Sequence, residues 1–296
     1  MRRERAFADP GRSAARVPRG QTTIPRLAHF VFGLDPRDEP FHLVHFLALT
    51  SCLEHVAPEE LHVHCDRLPY GFYWDLIRPH VQLHRVEPIP FVSGFDYDPL
   101  TARYAYAHHA DVIRLDVLAR WGGLYADIDT LFLAPLPARC WDAPAVIGRE
   151  ADVVDASGRL RPSLSNALVM SAPGGEFVEA WRERTALAFD GSWSEHSCLL
   201  AQAIAEELPA TVHVEPQRSF HAFEPTAAGL RALLVEPPDD LEGIFSVHLM
   251  AHLWWDEQRL DFLDLHAHMI DERWVRQAEA TYAVAARPLL PRHEEF

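Results

Sequence analysis

The stretch from His108 to Asp129 reads HHADVIRLDVLARWGGLYADID. It divides into a helix, a tight turn and a strand that ends on paired acids. At about 100° per residue, Tyr106, Ala107, Ala110, Ile113, Val117, Leu118 and Trp121 fall on one broad apolar arc. His109, Asp116 and Arg120 lie opposite, as a solvated face requires. Asp111 and Arg114 do not; they project within or beside the apolar arc. As an exposed i,i+3 pair they would contribute only about 0.2–0.5 kcal/mol, and charges aimed at a sheet need a partner. A polar ligand in a water-filled cleft supplies one, so their removal is expected to cost activity and little stability. Gly122–Gly123 ends the helix. Leu124 to Ile128 then reads as a strand, in which Asp127 and Asp129 share a face. Two carboxylates on one face repel unless a cation joins them. Mg²⁺ and Mn²⁺ favour such oxygen ligands and share them with substrate phosphates.

Outward from this stretch the pattern alternates. Leu27–Phe32, Leu61–Cys65 and Val81–Val86 read as strands. Phe41–Val56, Tyr70–Ile77 and Thr101–Trp121 read as helices. Leu131–Leu133, Asn166–Ser171, Val212–Val214 and Ser246–Leu249 read as further strands, with helices over Phe177–Phe189 and Cys198–Leu208. Strand–helix alternation predicts an α/β fold with a mostly parallel sheet covered on both faces. A second acidic triplet, Asp96-Tyr97-Asp98, precedes Pro99 with no strand behind it and reads as a solvated loop.

The chain has 296 residues and a net charge of −16, which argues against nucleic-acid binding and makes a phosphate-bearing ligand costly without a cation. It contains no lysine, and all 27 basic residues are arginine, a bias that suggests a GC-rich bacterial source. No apolar run reaches the ~20 residues of a membrane span, and the first residues lack a secretion signal. Cys52, Cys65, Cys140 and Cys198 have no CxxC spacing, so a reduced, cytoplasmic protein is expected. Residues 1–26 hold seven arginines against Glu4 and Asp9. Residues 1–22 are read as a disordered basic arm, capable at most of peripheral contact with an anionic membrane. Residues 23–296 are read as a single domain.

The string ADVIRLDVLARWGGLYADIDTL resembles the SDxxRxxxLxxxGGxYxDxD signature of the DXD-motif sugar-binding glycosyltransferases. That group includes capsule and lipopolysaccharide sugar transferases, fungal initiating mannosyltransferases and, more distantly, clostridial glucosylating toxins. Ala110 replaces the usual Ser. Ile24–Gly33 resembles the opening strand of the group, Ser165-Asn166-Ala167 its Asn-containing strand near the donor sugar, and His248–Trp254 its C-terminal H-x5-W element. The resemblance implies the GT-A (Rossmann-like) nucleotide-diphospho-sugar transferase fold. It also implies transfer, with retention, from a nucleotide-sugar to a glycan, lipid-linked or small-molecule acceptor. A UDP-sugar is the expected donor, with a guanine nucleotide as the alternative. Mn²⁺ or Mg²⁺ would be held by Asp129, Asp127 and His248, with His252 the runner-up. Phe32 would stack on the base. Asp111, Arg114, Tyr125, Asp127 and Trp254 would contact the donor, and Asp127, Asp129, Arg114 and Asn166 would serve the reaction.

Other residues are less decided. His108 and His109 divide evenly between structural and substrate roles. Glu150 and Asp155 read as loop acids that could line an acceptor pocket. Ser194-Glu195-His196-Ser197 reads first as a helix cap and second as a lid over the donor. Two rivals remain: a haloacid dehalogenase-type phosphatase, suggested by Asp127-Ile128-Asp129-Thr130, and a non-catalytic binding module of the same fold. The phosphatase motif needs Thr or Val where Leu131 stands, and a downstream lysine that the chain lacks.

Overall fold

The computed structural model describes residues 23–35, 37–98, 101–155, 157–256 and 263–292; the basic arm expected over 1–22 lies outside the described residues. The strands are β1 (Leu27–Phe32), β2 (Glu60–Cys65), β3 (Val81–Arg85), β4 (Gly123–Ala126), β5 (Thr130–Phe132), β6 (Ala145–Arg149), β7 (Val153–Val154), β8 (Leu160–Arg161), β9 (Leu164–Ser171), β10 (His213–Glu215) and β11 (Ser246–His248). Seven of them form one sheet in the order β10-β6-β9-β4-β1-β2-β3. Strands β3, β2, β1 and β4 are mutually parallel, as are β6 and β10. Strand β9 runs antiparallel to both β4 and β6. This is the mostly parallel α/β sheet of the GT-A expectation, with one reversed strand inside it.

Both faces are buried, and the alternation along each strand shows how. Phe30 packs with Leu47, Leu124 and Ala126 in the larger core. Their neighbours Val31 and Tyr125 point the other way, into a second core with Ile113, Leu118, Trp181 and Ile204. The second core lies under the helix Ala105–Trp121 and its partners Glu176–Ala188 and Leu200–Glu207. The long helix begins four residues later than its sequence pattern suggests, after a 3₁₀ turn at Ala102–Tyr104. Among the described residues, no helix is long and apolar enough to cross a membrane. All four cysteines are buried and free.

Gly122 and Gly123 adopt φ of +66° and +98°. A Cβ on Gly123 would lie 2.6 Å from the carbonyl oxygen of Leu27. The turn therefore lets β4 leave the helix and dock directly on β1. Strand β4 ends at Ala126, two residues short of the expected boundary, so neither acid of the DxD is in a strand. Asp127 to Thr130 form a turn instead, closed by the Thr130 N–H donating to the Asp127 carbonyl at 2.9 Å. The acids converge because of this turn and not because of strand alternation. Beyond it β5 pairs antiparallel with β11, and the register Thr130↔His248 carries His248 to the acidic pair across more than a hundred residues.

Candidate active site

The turn opens into a cavity of about 910 Å³, lined from β1, the long helix, the DxD turn, β9 and the segment after β11. At its floor Asp127, Asp129 and His248 each offer a ligand atom, all within 4.8 Å of one another. His248 Nε2 stands 3.1 Å from Asp129 Oδ1 and 3.7 Å from Asp127 Oδ2. The other Asp129 oxygen accepts the Ala251 N–H at 2.8 Å. Burial raises the Asp129 carboxyl, but His248 and the Ala251 amide outweigh burial and hold its pKa below the usual carboxylate range. Asp127 shifts the opposite way. Burial dominates there, Arg114 and His248 lower the pKa, Asp129 raises it, and the result lies above 3.8. Burial would lower His248, yet Asp129 and then Asp127 raise it to about 9. The two carboxylates thus make a negative pocket that a proton on His248 satisfies in part. Two carboxylates and an imidazole also suit a divalent cation, so the donor set fits the expected Mn²⁺ or Mg²⁺.

Beside this floor lies a second polar network. Arg114 and Asp111 are buried, at 3% and 8% exposure, which corrects the expectation that water reaches them freely. Every nitrogen of the Arg114 guanidinium is engaged. Nε donates to the Ala110 carbonyl at 3.3 Å and Nη1 to the Asn166 carbonyl. Nη2 faces Asp111 at 2.8 Å and Asp127 at 3.4 Å, and the guanidinium lies 4.7 Å over the Tyr125 ring. Arg114 therefore braces the carboxylates and the Asn166 backbone; it is not an idle donor awaiting phosphate. Asp111 Oδ1 also accepts from Asn166 Nδ2 at 2.7 Å. The Tyr125 hydroxyl donates to Asp127 Oδ1 at 2.8 Å. Burial would raise the Asp111 carboxyl, but Arg114 and His196 hold it below 3.8.

Phe32 ends β1 at the cavity wall, with Phe41 and His45 each packed edge-on at 5.0 Å. Trp254 does not reach the cavity. It is fully buried, and its indole N–H donates to the Leu249 carbonyl at 2.7 Å, which fixes it in the core. Its neighbour Trp255 lines the cavity instead, stacked on His45 at 5.0 Å and bonded to Glu39. Glu150 lines the cavity and accepts from the Ser163 hydroxyl at 2.5 Å. Asp155 does not; it accepts the N–H groups of Ser157 and Arg159 within its own loop. Ser194 stands at the N-cap of the turn Glu195–Leu199 and its carbonyl accepts the Leu199 N–H at 3.0 Å, but its side chain makes no capping bond and lines the cavity. His108 bonds Tyr97 at 2.7 Å and His109 bonds the Ile89 amide at 3.0 Å. Neither histidine lines the cavity.

Two residues hold roles that the sequence does not assign: His196, named only within the Ser194–Ser197 segment, and His221. His196 is wholly buried, with Nε2 3.0 Å from Asp111 Oδ2. It takes the Asp111 oxygen that Arg114 does not. His221 lines the cavity with its ring 6.3 Å from that of His248, and burial, then His248, lowers its pKa to about 3. No local signal marks either role, because the partners Asp111 and His248 lie far away in the chain.

Residues 86–152 match the glycosyltransferase sugar-binding region containing DXD motif. Glucan organizing enzyme 1 of Cryptococcus neoformans var. grubii serotype A is 32% identical over 205 residues, covering 67% of this chain and 54% of that protein. The chain thus spans about half the length of this relative. Among solved structures, LgtC, a galactosyltransferase crystallised with donor and acceptor sugar analogs, aligns over 91% of this chain and 98% of its own at 15% identity and a TM-score of 0.46. PaToxG glycosyltransferase aligns over 63% of this chain and 71% of its own at 16% identity and a TM-score of 0.43.

Proposed function

We infer that this chain, whose residues 86–152 carry the DXD-containing sugar-binding region of glycosyltransferases, moves a sugar from a nucleotide-sugar to a saccharide-type acceptor with a divalent ion at Asp127, Asp129 and His248. The observation that carries this reading is the convergence of those three side chains on the floor of a cavity large enough for a nucleotide-sugar. When bound, Mn²⁺ or Mg²⁺ supplies Lewis-acid stabilisation to the oxygens of the leaving diphosphate.

The chain's own residues set the geometry around that charge. Phe32 offers an aromatic edge of the cavity to the base, with uracil favoured. Asp111 and Asn166, locked together and braced by Arg114, present fixed polar atoms to the donor-sugar hydroxyls. Because the brace is formed before substrate arrives, little reorganisation is needed during the reaction. Retention follows the family resemblance. A double displacement would need a carboxylate beneath the sugar ring, and we favour instead attack by the acceptor on the face from which the diphosphate leaves. A cytoplasmic location belongs to the same proposal and is supported by four free cysteines.

The test is a screen of UDP- and GDP-sugars for hydrolysis and transfer with Mn²⁺, repeated with excess EDTA. Turnover of at least one donor that EDTA abolishes is the expected result. Turnover indifferent to chelator removes the metal from the mechanism. No nucleotide binding at all would favour the non-catalytic module.

A further inference from the structure

Of the eight tryptophans in the chain, Trp193 is the exposed one, at 41%. It sits in the segment between the helix Glu176–Ala188 and the turn at Glu195–Leu199, and it lines the same cavity as the DxD turn. Three rings from distant parts of the chain pack on it, with His108 the furthest at 6.2 Å. The Tyr104 ring meets it edge-on at 5.2 Å, and the His252 ring lies against it at 4.5 Å and 31°. His252 belongs to the turn Ala251–Leu253, whose first amide donates to Asp129. The aromatic group is therefore tied to the cation site by a single turn of backbone. Asp111, Arg114 and Asn166 bond to one another and line the same cavity.

A large aromatic surface left open in a concave site is a ligand surface by its physics, since leaving it wet forgoes burial energy. Its chemistry is specific. The axial C–H groups of a pyranose make a flat, weakly positive apolar face, which matches the negative face of an indole. The ring hydroxyls then need polar partners at the edge, and Ser194 and Glu150 line the cavity with carboxylate and hydroxyl oxygens. A lipid chain would want a continuous apolar groove, whereas Ser194, Ser197 and Glu150 line this cavity together with its aromatic groups.

We propose that Trp193, flanked by Tyr104 and His252, forms the acceptor subsite and takes a hexopyranose ring of a saccharide. This rests on the glycosyltransferase reading of the cavity, with its saccharide-type acceptor, and adds the place where the acceptor ring docks and the residue that contacts it. The experiment is saturation-transfer NMR on the full chain with UDP and Mn²⁺ present, using laminaribiose, maltose, lactose and mannobiose as probes and sorbitol as an open-chain control. The account expects at least one disaccharide to bind and sorbitol not to. Trp193→Ala should weaken that disaccharide about tenfold or more, and Trp193→Phe should weaken it less. UDP affinity, measured separately by calorimetry, should not change in Trp193→Ala. The proposal is overturned by the absence of any disaccharide binding, by equal binding to Trp193→Ala and the parent, or by equal binding of sorbitol. A parallel loss of UDP would also overturn it, since the ring would then serve the donor. Failure of the parent to bind UDP in calorimetry strikes the nucleotide-sugar reading alone, because the disaccharide comparison is still read.

Discussion

Arg114→Gln is the substitution whose outcome the structure sets most sharply. The guanidinium is 3% exposed and contacts Asp111 at 2.8 Å and Asp127 at 3.4 Å. Its loss leaves the buried Asp111 without its guanidinium and Asp127 with His248 alone as its ion-pair partner, beside Asp129. Breaking a buried pair by removing one partner costs about 3–5 kcal/mol, because the remaining charge is stranded. For a chain somewhat larger than 250 residues, each kcal/mol moves Tm by roughly 2–4 °C, so a fall of about 10 °C is expected. Asp111→Asn keeps the shape and removes the charge, yet Asp111 faces donors from Arg114, Asn166 and His196. An amide NH₂ must oppose one of them, at about 1–3 kcal/mol. Because both substitutions break one network, the double variant should lose less than the sum of the two. Asp116→Asn is the control, since that carboxylate is exposed and pairs with Arg182 at 3.4 Å, a contact worth about 0–1 kcal/mol. The assay is thermal unfolding by calorimetry, with nucleotide-sugar turnover per folded molecule measured alongside. Turnover should fall at least ~100-fold in Arg114→Gln, or about 2.7 kcal/mol of transition-state stabilisation. A Tm unchanged from Asp116→Asn, or full turnover in the folded fraction, would refute the brace.

Three further outcomes follow from single features. Phe32→Ala should weaken nucleotide binding by about 1 kcal/mol, read by calorimetry with UDP and GDP. Glu215 has a buried side chain bonded by Arg139, Ser219 and His213; burial raises its pKa, but these bonds outweigh it and hold it at about 2. With the folded pKa below the unfolded value of 4.5, its stabilisation is complete above about pH 4.5 and is lost as pH falls towards 2. On the order of 2 kcal/mol should disappear over that window, and Glu215→Gln should flatten this part of the pH–stability curve. Trp254→Ala should destabilise by about 3–5 kcal/mol, seen by denaturant titration, with nucleotide affinity of the folded fraction little changed.

The fold was legible where local rules act alone. The Gly122–Gly123 stop, the apolar arc of the long helix and the runs of β1 and β2 appear where their residues place them, because capping and periodicity are properties of a few neighbours. The direction of β9 was not legible, since alternation carries no sign of parallel or antiparallel pairing. The DxD acids were found for a reason that proved incomplete: they share a side through a turn, which the apolar lead-in Leu124-Tyr125-Ala126 disguised as more strand. Asp111 and Arg114 were rightly placed at the helix–sheet boundary. Their burial was missed because Asn166 and His196, which satisfy Asp111, are 55 and 85 residues away. Trp254 and Trp255 show the same limit. The H-x5-W spacing selects Trp254, whereas the fold buries it and turns Trp255 to the cavity.

The central claim is that Asp127, Asp129 and His248 hold a divalent cation, and Mn²⁺ electron paramagnetic resonance tests it most directly. Titrating Mn²⁺ into the parent with UDP at neutral pH should remove close to one equivalent from the free-ion signal. Asp129→Ala should shift the midpoint by at least ~10-fold with its circular dichroism spectrum retained. His248→Ala should shift it less, since it removes one imidazole ligand and leaves both carboxylates. Stoichiometric Mn²⁺ binding of equal strength in the parent and in a folded Asp129→Ala would place the ion elsewhere and contradict the account, as would a parent that binds UDP without binding Mn²⁺.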